Sequence, residues 1–185
     1  KSFNLGSASV GMIRPLSEHW TISGQLDYSS RAPIAEELYS NGAHLATQTF
    51  EIGNENLSEE TAVNVSADLR YRSEALSFSL SGYSTEFGDY IYEANTGLEE
   101  DELPVLLWSQ GDASFSGVEL EASWQAISWE NGGLSLKGGF DSVRGQLDEG
   151  SDRDLPRIPP QRWRIAGTLD WSDFQAEISW ASVSD

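Results

Sequence analysis

Apolar and polar residues alternate along most of this chain with a period of two, the spacing of strands that turn one face to an apolar medium and the other to water. One side of the clearest segments reads Trp20, Ile22, Gly24, Leu26, Tyr28; then Val63, Val65, Ala67, Leu69, Tyr71; then Leu76, Phe78, Leu80, Gly82, Ser84. Residues 118–126, 134–140, 163–171 and 174–182 follow the same rule, and residues 3–13 predict a further strand whose phase is broken. Charge is segregated with equal sharpness. Asp27, Asp68, Arg70, Glu119, Glu121, Lys137, Arg164, Asp170 and Glu177 all fall on the intervening positions, and none falls on the apolar side in mid-strand. Helical spacing is not sustained beyond a turn or two, so the fold class is all-β.

The connections alternate in length. Short turns are expected at 72–75, 130–133 and 172–173, and long loops at 29–60, 88–115 and 145–161. Strands that alternate apolar and polar, joined by short turns at one end and long loops at the other, predict an antiparallel up-and-down transmembrane β-barrel. Lipid accounts for the missing charges, since a Lys or Arg on the lipid face costs roughly 2–4 kcal/mol at the bilayer midplane. Trp20, Tyr71, Trp129, Trp171 and Phe174 flank the short turns, where an aromatic girdle would rest among headgroups. Asn131-Gly132-Gly133 is expected to supply positive φ for a tight turn, and Pro33, Pro104, Pro156, Pro159 and Pro160 to shape strand ends and loops. Two other architectures fit parts of this pattern: a passive porin-type barrel, and a soluble β-sandwich binding module whose apolar side is its core.

Composition narrows the function classes. The 185 residues hold 11 Lys and Arg against 30 Asp and Glu, a net charge of −19 that argues against nucleic acid as a partner. Zero cysteines exclude disulfides, thiol nucleophiles and Cys-ligated metals. No apolar run reaches the length of a spanning helix, and Lys1-Ser2-Phe3 does not begin a signal peptide. His19 and His44 are the only histidines, too few for a catalytic triad or a His-rich metal site, so no enzyme activity and no cofactor are expected. Glu93, Glu99, Glu100, Asp101, Glu102 and Asp112 share one loop with no base, and Asp148, Glu149, Asp152 and Asp154 face only Arg153 in another. Such clusters make a solvated face, or a field that gathers cations.

Residues 19–64 carry a series of recognisable words: Ser30-Arg31-Ala32-Pro33, Glu37-Leu38-Tyr39, the stretch His44 to Asn54, and Asn56-Leu57 with Glu60. Asp89-Tyr90-Ile91 ends an outgoing strand, Gly117-Val118-Glu119-Leu120-Glu121 opens a returning one, and Leu155-Pro156-Arg157-Ile158-Pro159-Pro160 precedes another. In this order, from about residue 14 to 180, the chain resembles the C-terminal half of the barrel of a TonB-dependent outer-membrane receptor. The resemblance implies a barrel of about 22 strands closed around an N-terminal plug. It implies uptake of a scarce nutrient across the Gram-negative outer membrane, with lipid around the wall and a TonB energy-coupling complex acting through the N-terminal part. Residues 1–185 would then be a partial barrel domain of about eight strands, with plug and final strands absent. His44 to Asn54 resembles the version of this loop in the zinc-uptake branch of the family and in relatives that take up other ligands, siderophores among them. That implies a small cargo, a metal ion or metal complex, with His44 as a metal ligand and Glu51 beside it in ligand binding; Glu36 and Glu37 share the loop. Zinc takes imidazole and carboxylate ligands, but a loop fixes no geometry, and a loop-packing role for His44 stays open.

Overall fold

A computed structural model describes residues 1–148 and 154–184. In chain order the elements are β1 (Ser7–Pro15), β2 (Trp20–Arg31), α1 (Ala35–Tyr39), β3 (Asn41–His44), β4 (Thr49–Ile52), β5 (Glu60–Arg72), β6 (Leu76–Glu100), β7 (Leu103–Trp129), β8 (Gly132–Leu147), β9 (Gln161–Trp171) and β10 (Phe174–Ser184). Eight of the strands form an antiparallel meander in the order β1-β2-β5-β6-β7-β8-β9-β10, and among the described residues the sheet stays open.

The register explains the two faces. Ile22, Leu69, Leu80, Leu120, Phe140 and Trp163 stand opposite one another across six strands. One residue away, Thr21, Arg70, Ser79, Glu121, Gly139 and Arg164 form the next row and point to the other side. The apolar face is bare: Val65, Ile165, Ile178 and Trp180 are each more than half exposed. No second sheet packs on it among the described residues, so the β-sandwich alternative does not hold, and strands with one uncovered apolar face are the pattern of a transmembrane β-barrel wall. Trp20 and Tyr71 pack with ring centroids 4.9 Å apart at the end of the short turns. Phe140 and Trp163, far along β8 and β9 from the turn at 172–173, pair at 4.4 Å.

Several expectations need correction. The stretch 88–115 is not a loop, because β6 and β7 run on as a hairpin that turns at Asp101–Glu102, both with positive φ. The strand at Asp89-Tyr90-Ile91 therefore does not end there, and Pro104 is the second residue of β7, opposite Glu99 of β6, close to the strand start where prolines are tolerated. Register shifts between Phe87 and Tyr90 and between Asn95 and Glu99 break the period of two, which hid these strands. The 29–60 connection holds α1, β3 and β4, and β4 adds parallel to β7 through Phe50 and Val105. The broken strand is β1: Val10 and Met12 oppose Leu26 and Gly24 in phase, whereas Ile13 opposes Ser23 on the polar face and Arg14 opposes Ile22. None of Asn131, Gly132 and Gly133 has positive φ; Ser172 does, in the neighbouring turn. Gly132 and Gly133 serve another purpose, since a Cβ would strike the Asp170 carbonyl oxygen at the first and come within 2.8 Å of the Ile127 carbonyl oxygen at the second. Glu149, Asp152 and Arg153 lie outside the described residues.

Candidate functional site

Beyond the membrane-level strands the chain builds a small water-facing unit with a core of its own. Leu38, Leu57 and Ile91 are buried together with Trp108 against them, and Phe50 and Val105 are buried where β4 joins β7. Burial of a side chain such as Leu57 contributes about 1.5–3 kcal/mol. Gly53 lets α1 lie against this unit, because a Cβ there would come within 2.6 Å of the Leu38 carbonyl carbon.

Arg31, at the outer end of β2, pins the unit to the wall. Its Nε and Nη2 donate to Glu60 Oε1 and Oε2 at 2.9 and 3.0 Å, and its Nη1 donates to both oxygens of Glu37 at 3.0 Å. Burial works against the Arg31 charge, but the hydrogen bonds to Glu60 and Glu37 outweigh it and raise its pKa. The same carboxylates accept from backbone: Ile34 N–H donates to Glu37 Oε2 and Ile91 N–H to Glu60 Oε2, both at 2.8 Å. Glu37 is thus a structural group tied to Arg31, away from His44, and Glu36 sits in the first turn of α1.

His44 and Glu51 do meet. The register pairs His44 with Thr49 across the β3–β4 hairpin, and His44 Nδ1 lies 2.6 Å from Glu51 Oε1. A carboxylate can only accept, so Nδ1 carries the proton. Thr47 Oγ1 is 3.1 Å from the same nitrogen, and Thr49 Oγ1 donates to Glu51 Oε1 at 3.5 Å. His44 is about half exposed while Glu51 is buried. Two residues that the sequence reading did not assign to this site complete the cluster. Glu93 of β6 lies near enough to Glu51 for the two carboxyls to influence each other, and Arg157 Nη1 reaches Glu93 Oε2 at 3.0 Å. Burial holds the Glu93 carboxyl above its ordinary range; Arg157 pulls it back, the Glu51 carboxylate pushes it further up, and His44 opposes that push. The sequence gives no sign of this meeting, because it depends on the bulge after Phe87 and on the parallel docking of β4. Among the described residues no three His, Asp or Glu side chains are already arranged as a cage for a metal ion.

On the inner side the polar faces of the strands line a concave space of about 1110 Å³, bordered by Thr21, Arg70, Ser79, Glu121, Lys137 and Arg164. Arg162 Nε donates to Asp141 Oδ1 at 3.0 Å on the same wall. This surface is that of a polar lumen. His19, beside a short turn, is set by its Nδ1 at 3.1 Å from the Arg72 carbonyl oxygen and by the Tyr71 ring, and takes no part in the outer cluster.

Known proteins agree with this architecture. The family model described as TonB dependent receptor-like, beta-barrel, matches residues 1–185. Of this chain, 97% superposes on 26% of the copper transporter OprC with a TM-score of 0.80 at 23% identity. The siderophore receptor PirA from Pseudomonas aeruginosa matches 97% of this chain over 31% of its own length, with a TM-score of 0.65 and 20% identity. For the FrpB iron transporter from Neisseria meningitidis (F3-3 variant) the values are 95% and 26%, 0.63 and 21%. At such identities the likeness speaks for the fold alone, and the chain spans between a quarter and a third of each of these proteins. The family is one of outer-membrane transporters and receptors of Gram-negative bacteria. With the whole sequence matched and the strands in barrel order, the chain belongs to the TonB-dependent receptor family and forms part of its β-barrel.

Proposed function

We propose that this chain supplies barrel wall and outer loops to an energy-coupled receptor in the Gram-negative outer membrane, with a transition-metal ion or a metal complex as cargo. The observation that supports it is the pairing of His44 with Glu51 on the outer unit: an imidazole and a carboxylate are ligand types that a borderline cation such as zinc takes. The similar structures, a copper transporter, a siderophore receptor and an iron transporter, favour metal-related cargo in the same way. A plug preceding the barrel and a TonB complex driving transport belong to this reading, as does bilayer lipid around the wall. The chain's own chemistry is binding and positioning, with no catalytic step.

Metal accumulation tests it. In zinc-starved host cells carrying the receptor, cellular zinc should rise above an empty-vector control and return to that level when the host's TonB system is deleted. His44→Ala should lower the uptake, while copper and a ferric siderophore are followed in parallel. Uptake of no metal in any form would remove the metal reading; entry of a ferric complex without zinc, unaffected by His44→Ala, would keep the receptor and discard His44.

A further inference from the structure

β1 breaks the rule that the rest of the wall keeps. It pairs with β2 without a register shift, from Ser7 opposite Ser29 to Pro15 opposite Thr21, so no bulge returns a misplaced residue to its own side. Ile13 therefore stands on the polar face, and Arg14 faces Ile22 in the apolar row that continues through Leu69 and Leu80. Arg14 is exposed, and among the described residues no carboxylate pairs with it. Glu18, the nearest acid along the chain, borders the concave inner space with His19, on the other side of the sheet. Next to Ile22 on the apolar face, toward the short turn, comes Trp20, whose ring packs on Tyr71 at 4.9 Å and on Phe78 at 6.5 Å. Two residues of strand span about 7 Å, which an arginine side chain covers, so the guanidinium reaches the level of these rings.

We propose that Arg14 holds the headgroup phosphate of a phospholipid in the leaflet at the short-turn end of the barrel. The inference rests on the reading above that bilayer lipid surrounds the wall. An arginine facing lipid is costly at the midplane and far less so near the interface, where its charge meets headgroups and water. The short turns of such barrels face the periplasm, so the leaflet is the periplasmic one. The apolar row beside Arg14 supplies no counter-charge, since Ile22, Leu69, Leu80 and Leu120 follow one another across the strands. An anion from outside these residues is what the position lacks. A guanidinium fork matches a phosphate with two parallel N–H donors, and the rings of Trp20 and Tyr71 rest at the same headgroup level. The girdle sets the depth, and Arg14 selects the anionic group found there.

Native mass spectrometry of the intact receptor in detergent tests the idea, with phosphatidylglycerol as probe and diacylglycerol, which lacks the phosphate, as control. Arg14→Gln should weaken phosphatidylglycerol binding about five-fold, the scale of one exposed ion pair, and leave diacylglycerol binding unchanged. Arg14→Lys keeps the charge and should restore most of the loss. Inorganic phosphate should not displace the lipid; displacement would make this a site for the free anion and overturn the proposal. Equal binding by wild type and Arg14→Gln, or an equal loss of both lipids, also overturns it and leaves the lipid-surrounded wall standing. If the wild type retains neither lipid, both readings fall.

Discussion

The wall and the outer unit obey opposite burial rules within one chain. In the wall the large apolar side chains are the exposed ones, with Ile178 at 83% and Trp171 at 64%, and the charged residues line the concave side. In the outer unit the apolar residues are inside, with Leu57 at 1% and Val105 at 3%. β6 and β7 pass through both, so a single strand changes its rule partway along. The lesson is that alternation reports the solvent on each face of a strand, and it loses its meaning where both faces meet protein or water.

Substitutions can break this contrast, the largest effect belonging to the outer core. Leu57→Ala should cost about 2–5 kcal/mol of local stability, the usual range for a buried leucine, and proteolysis of segment 32–59 should accelerate while folding of the barrel into bilayers is unchanged. Equal loss in both measurements would show that the two regions are one cooperative unit. On the wall, Leu80→Arg should cost roughly 2–4 kcal/mol in refolding titrations into lipid vesicles, whereas Ser79→Arg on the inner face should cost little. Equal costs would remove lipid from the apolar face. Arg31→Ala leaves Glu37 and Glu60 buried without their cation, a loss of about 1–3 kcal/mol after discounting for the exposure of the arginine. Hydrogen exchange at Ile34 and Ile91, whose N–H groups donate to those carboxylates, should rise first.

The strands at membrane level were legible because lipid imposes a strict rule on every second residue, and their short turns and inner girdle followed from it. The outer reaches of β6 and β7 were not, since the bulges after Phe87 and Asn95 shift the phase and the acidic tip reads as loop. At the candidate site His44 and Glu51 stood out by residue type and resemblance. In the sequence Glu93 reads as one charge of an acidic run, and Arg157 as one residue of a proline-rich word. The tight turn at 130–133 kept its glycines for close approach to neighbouring strands instead of for positive φ, a distinction that no local pattern carries.

By itself the sequence determined the all-β class and the two-faced wall, which depend on local alternation, and the family, whose resemblance is carried by the ordered words between Ser30 and Pro160. The tertiary structure alone decided which charges meet. It brought Arg31 onto Glu37 and Glu60, and Arg157 onto a carboxylate that Glu51 also approaches. Such meetings depend on register, bulges and the docking of distant segments, and those are set by packing across the whole sheet.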